Sequence, residues 1–179
     1  MRYRRLLTLP YLEVLGIVFV LSAALFMRAL YSLSGGELVG ILFGAVNDSP
    51  WEYGKTLLLP YLLWGMLELM CARPSLRRFT SAKTAGLYSL GALYISARLC
   101  LPILADDPAF ELVAAALCLV FAAIITRVLL RSTLALSVLF PPAISLLMLF
   151  LAFYYSFTPF PPSFLLNSGI FYRSLSCGI

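Results

Sequence analysis

The chain has 179 residues, of which 62% are hydrophobic and 12% charged, with a formal net charge of +5 and no histidine. A soluble domain averages about 45–50% apolar and about 25% charged residues, so a water-soluble enzyme, a disordered chain and a disulfide scaffold are excluded, leaving a single-domain integral membrane protein. The missing histidine removes the usual general base and the commonest metal ligand together.

A transmembrane helix needs about 20 apolar residues, and five stretches approach or exceed that length: 11–31, 51–71, 85–104, 110–130 and 133–157. Helices are expected, because an open strand leaves backbone groups unpaired in lipid. The expected fold class is thus an all-α membrane protein, one domain over residues 1–179 with a bundle of about five spans. The first span begins like a signal peptide, but Arg28 follows its apolar run without a small-x-small cleavage site, so an uncleaved helix is expected. A nine-residue apolar piece, 38–46, is too short to cross and reads as a re-entrant or interfacial helix. Pro141-Pro142 in the fifth span is expected to break or kink it, and Pro60 in the second and Pro102 near the end of the third to do the same more gently, since each proline removes a backbone bond. After the fifth span, Phe157-Thr158-Pro159-Phe160-Pro161-Pro162 cannot be helical throughout. The tail, 158–179, carries one charge, Arg173, and is expected to lie on the outer membrane surface or cap the bundle mouth.

Charge sets the expected threading. Arg2, Arg4 and Arg5, then Arg73, Arg77, Arg78 and Lys83, then Arg127 and Arg131 fall on alternate connections, which the positive-inside rule assigns to the cytoplasm. Glu37, Asp48, Glu52, Asp106, Asp107 and Glu111 occupy the opposite side. The reading is a bacterial cytoplasmic membrane protein with its amino end inside and its carboxyl end outside. The basic balance then reports topology, and no nucleic acid partner is expected. Cys71, Cys100, Cys118 and Cys177 show no CxxC pair. No metal and no cofactor is expected.

The densest polar run is Asn47-Asp48-Ser49-Pro50-Trp51-Glu52-Tyr53-Gly54-Lys55. Much of it is helix-start chemistry: Ser49 as N-cap, Pro50 at the first helical position, and Glu52 closing a capping box. Trp51 and Tyr53 suit the aromatic belt, and Lys55 can pair with Glu52 one turn away. Asn47, Asp48, Glu52 and Lys55 nevertheless exceed what one cap needs. Arg28 and Arg98 are expected at the same depth, and intramembrane charges usually face a partner or a wet cavity. These six residues are the candidate binding site, an outer-facing polar pocket for an anionic group or a closed ion-pair network. Glu13 and Glu68, near the inner side with Arg5, Arg73 and Arg127, form a second candidate, an ion pair or a proton site.

The string AVNDSPWEYGK, residues 45–55, resembles the signature of a bacterial family of small multi-pass membrane proteins of unknown function, whose members tend to show a Val-Asn-Glu/Asp-Ser-x-Trp-Glu-His-x-x-Lys run at the start of a span. Phe157-Thr158 and Pro161-Pro162 are similar to a Phe-Thr-x-x-Pro-Pro element of the same family. The chain departs from it at Tyr53, where histidine is usual, and beyond Pro162. The resemblance implies fold and localisation and no reaction.

Three functions follow as expectations. The first is binding or translocation of a small solute or lipid at the outer pocket. The second is a non-catalytic accessory subunit that meets a membrane partner or a second copy of itself. The third is an intramembrane lipid-modifying enzyme, for which no catalytic residue stands out: without histidine, a nucleophile lacks its usual base, and Asp48 with Glu52 is half a metal site at best.

Overall fold

The structure is a computed structural model that describes residues 2–46, 49–101, 107–132 and 135–157. Asn47, Asp48, Pro102, Asp106 and the tail 158–179 lie outside the described residues, as do the side chains of Arg2, Arg4 and Arg5. Six helices and no strand are found among the described residues: α1 (Arg2–Leu33), α2 (Leu38–Phe43), α3 (Pro50–Ala72), α4 (Leu76–Cys100), α5 (Pro108–Arg131) and α6 (Phe140–Phe157).

The helix ends follow local chemistry. At the end of α1, Gly35 and Gly36 take φ of 65° and 80°, a region open to glycine because it has no Cβ. Gly36 N–H reaches Tyr31 O at 3.1 Å and Gly35 N–H reaches Ser32 O at 3.3 Å, which satisfies two carbonyls of the last turn. α3 starts on Ser49, whose Oγ accepts the Glu52 N–H at 3.2 Å, with Pro50 in the first turn. Asp107 caps α5 by accepting the Ala109 N–H at 2.8 Å, and Pro108 follows. The short helix covers six residues rather than 38–46.

Two elements depart from the sequence expectation. α4 starts at Leu76 rather than at 85 and ends at Cys100, so Arg77, Arg78 and Lys83 sit on a helix and not in a connection. Hydropathy misses its first two turns because it counts Arg78 and Lys83 as unmet charges, although both find partners inside the protein, while Arg77 is exposed. Arg78 Nη2 donates to Leu130 O at 3.3 Å and Ser132 O at 2.7 Å, neutralising the carboxyl end of α5. α6 begins at Phe140 rather than at 133, with Pro141 and Pro142 in its first turn. Their missing N–H groups have no intrahelical partner there in any case, so the pair breaks the expected span and the helix starts there.

Among the described residues, three helices are long and apolar enough to cross a membrane: Tyr11–Leu33, Pro50–Ala72 and Pro108–Arg131. That is fewer than the five expected. α4 is long enough but carries Arg77, Arg78, Lys83 and Arg98, and the apolar part of α6, Phe140–Ser156, is shorter.

α1 packs on α3 and α5, α4 packs on α3, α5 and α6, and α2 lies against α1. The shared interior holds Val20, Leu57, Leu87, Leu90 and Leu119. Polarity is inverted relative to a soluble protein. Glu52, Lys55, Glu68, Arg98 and Glu111 are buried, while Val14, Phe26, Met66, Leu117 and Val128 are exposed. So large an apolar exterior is compatible with a lipid surrounding.

Close contact between the long helices depends on glycines such as Gly86 and Gly16. A Cβ at Gly86 would overlap the Tyr61 hydroxyl and Thr126 Oγ1, which bond to each other at 3.1 Å across α3 and α5. A Cβ at Gly16 would overlap the Trp64 indole, whose N–H reaches Leu12 O at 3.0 Å. Gly16→Ala and Gly86→Ala are each expected to lower the unfolding free energy by about 1–3 kcal/mol through overpacking. Gly91→Ala, where the nearest atoms are Leu58 methyls at 3.5 Å, is expected to be neutral or slightly stabilising. Denaturant unfolding in mixed micelles measures all three.

Candidate functional site

The sequence places an arginine near the end of α1, an aromatic ring and a lysine in the first turns of α3, a tyrosine and an arginine one turn apart on α4, and a glutamate at the start of α5. The bundle brings these ends together. Glu111 is the centre. Arg28 grips it with a two-pronged fork, Nη1 to Oε2 at 2.9 Å and Nη2 to Oε1 at 2.8 Å. The Tyr94 hydroxyl donates to Oε1, and Arg98 Nη1 lies 3.6 Å from the same oxygen. Tyr94 and Arg98 are four apart, so both project from one face of α4.

The two guanidinium groups flank one ring. Arg28 Cζ lies 4.3 Å and Arg98 Cζ 4.6 Å from the centroid of Tyr53. The negative π faces attract each cation, and the ring helps hold two like charges around a single carboxylate. Arg28, Arg98 and Glu111 together carry one formal positive charge. Arg98 and Glu111 are almost fully buried, and Arg28 is 17% exposed.

Glu52 and Lys55 form a separate, fully buried pair at 2.8 Å. Both also hold the chain around α2. Lys55 Nζ donates to Ile41 O at 2.9 Å, and Glu52 Oε2 accepts the Val46 N–H at 2.9 Å. The Tyr154 hydroxyl of α6 donates to Leu42 O at 2.9 Å. A helix as short as α2 leaves most of its carbonyls without intrahelical donors, and these side chains supply them.

Of the six candidate residues, the structure therefore joins Arg28 to Arg98 through Glu111 and Tyr53, and keeps Glu52 with Lys55 as a second unit. Asn47 and Asp48 lie outside the described residues. Sequence reasoning missed Glu111 and Tyr94 as site residues. Glu111 stood only among the acids of one connection, and the available signal was its place in the first turn of a helix capped by Asp107-Pro108. At the other end of the bundle, Glu13 and Glu68 line one small cavity, and their cations are Arg127 and Lys83 respectively. Among the described residues, no group of three or more cysteine, aspartate or glutamate side chains is placed to hold a metal ion.

A larger space lies beside the charged centre. A groove of about 460 Å³ runs between α3, α4 and α6, lined by Trp51, Leu58, Gly91, Ile95, Leu149 and Phe153 among others. Its walls are almost wholly apolar. Trp51 forms an edge-on contact with Phe153, 5.3 Å between centroids, across the end nearest Glu52.

Residues 1–169 match DUF6512, a family of unknown function. The chain belongs to that family. No curated protein and no solved structure matches it. Membership spans every helix described above and assigns no reaction, so chemistry must be argued from the site itself.

The centre can be tested by its weakest tolerance. Glu111→Gln leaves two buried guanidinium groups around a neutral amide, and breaking a buried pair this way costs about 3–5 kcal/mol. Tyr53→Leu removes the shared ring while keeping an apolar side chain, for an expected loss of about 1–2 kcal/mol. Unfolding of the purified variants in mixed micelles should rank them in that order.

Proposed function

We propose that this is a five-span protein of the bacterial cytoplasmic membrane that binds the hydrocarbon chain of a membrane lipid in the groove between α3, α4 and α6. The observation that carries the reading is the groove: its volume of about 460 Å³ and its aromatic and aliphatic lining fall in the range of small-molecule sites, about 300–1,000 Å³. Leu149 and Phe153 on its wall are exposed at the bundle surface, so a lipid tail can enter sideways from the bilayer.

The span count rests on where the charges of α4 go. Lys83 and Arg98 are buried within the bundle, so the lipid meets Leu93 and Leu99 rather than the cations that lower the helix's hydropathy. The 18 residues of α6 rise about 27 Å at 1.5 Å per residue, close to a hydrocarbon thickness of about 30 Å. Arg77, Arg78, Arg127 and Arg131 gather at one end and Glu37 and Asp107 at the other, which supports an amino end inside and a carboxyl end outside.

Binding is favoured over translocation because both charged layers are held by ion pairs across helix interfaces. The same pairing favours one alternative, an accessory subunit that meets a membrane partner or a second copy of itself through its apolar exterior. Native mass spectrometry of the protein released from bilayer discs separates the two. At least one phospholipid should be retained, and Gly91→Phe, which fills the groove, should reduce retention about tenfold, a change of about 1.4 kcal/mol. Unchanged retention overturns the groove and leaves the accessory role. A reporter fused after Ile179 should be active only outside the cell; activity in the cytoplasm overturns the threading.

A further inference from the structure

The charged layer at the Glu68 end encloses a cavity of about 20 Å³, bounded by Glu13, Tyr61, Trp64, Glu68, Lys83 and Thr126 among others. A single water needs about 10–15 Å³ and two to four polar partners, and this cavity offers both. Its two carboxylates are held very differently. Glu68 receives Lys83 Nζ at 2.6 Å on Oε2 and the Trp64 indole N–H at 2.9 Å on Oε1. The Lys83 ammonium also lies 4.4 Å from the centroid of the Tyr61 ring. Glu13 is buried too, but its cation among the described residues is Arg127, at 3.8 Å, beyond hydrogen-bond reach, on a side chain 41% exposed.

A buried carboxylate compensated only at that distance retains much of the cost of leaving water, and a proton removes it. We propose that Glu13 is an exchangeable proton site, taking one proton from the aqueous side at Arg127 and holding it beside a water in the cavity, while Glu68 keeps its hydrogen-bonded pair with Lys83. The step is simple in its balance. One O–H bond of a hydronium ion breaks, leaving water, as one O–H bond forms on the Glu13 carboxylate, and Arg127 keeps its own proton. The charged groups facing Glu13 are Arg127 and Arg131 on α5, Glu68 on α3 and Lys83 on α4. Neither lipid binding nor the groove enters this argument.

The test uses the full chain in bilayer discs and a hydrophobic carbodiimide, with adducts located by mass spectrometry. A protonated carboxyl adds across the reagent: its proton passes to a nitrogen, its oxygen bonds the central carbon, and the product rearranges to a stable N-acylurea. Glu13 should label in acidic buffer and lose labelling about tenfold per pH unit above its midpoint, as a single titrating proton does. Glu68 should stay unlabelled. Arg127→Gln, which removes the nearby cation, should extend Glu13 labelling to more alkaline pH. Infrared difference spectra give a second readout: the protonated-carboxyl band that appears on acidification should vanish in Glu13→Gln and persist in Glu68→Gln. Labelling of Glu13 that ignores pH, its absence at every pH in folded protein, or adducts on Glu68 instead would each overturn the proposal.

Discussion

The fork between Arg28 and Glu111 closes the first long helix onto the fifth, and most of the charged centre is arranged around it. A guanidinium placed deep in an apolar bundle is tolerated only when its charge and its donors are met. Glu111 meets two donors of Arg28, and the Tyr53 face meets the cation's surface. Once the carboxylate is fixed there, Tyr94 and Arg98 of α4 are drawn to the same oxygen. Four helices are thereby set in register by one acidic side chain. Aliphatic packing against lipid-like neighbours cannot impose such a register alone, because hydrocarbon offers little difference between one helix face and another.

The rest of the polar inventory follows the same logic with different partners. Glu52 and Lys55 neutralise each other and then spend their remaining bonding capacity on the backbone around α2. Arg78 is spent on the end of α5. Glu68 and Lys83 join α3 to α4. The exterior is left to apolar side chains, so the same division that satisfies the interior makes the molecule a solute for lipid. The groove between α3, α4 and α6 is the place where that exterior turns inward.

Helix starts and stops were legible wherever one short motif decides them. Ser49-Pro50 with Glu52 marked the start of α3, and 110–130 lies within the observed α5. The beginning of α4 was not legible, because hydropathy weighs Arg77, Arg78 and Lys83 as if water or lipid met them, whereas Arg78 and Lys83 meet a carbonyl pair and a carboxylate. The beginning of α6 was misplaced for the opposite reason: residues from 133 are apolar enough for a span, but the helix starts only where Pro141-Pro142 can sit in a first turn. At the site, the depth shared by Arg28 and Arg98 could be read from position along their spans. Their joint attachment to Glu111 could not, since that requires knowing which helix lies opposite. The ring at position 53 gains a meaning that spacing alone does not carry.

The fork also fixes an order of events during synthesis. Arg28 and Glu111 are 83 residues apart, so α1 is synthesised well before its counter-charge. An arginine near the middle of an isolated helix raises the cost of insertion by about 2.5–3.5 kcal/mol on translocon scales, and less close to the interface, where a long side chain can reach water. The position of Arg28 close to the end of α1 is thus what lets the nascent helix wait. On the five-span reading proposed above, the guanidinium would wait at the headgroup level and pair with Glu111 once α5 arrives to complete the bundle.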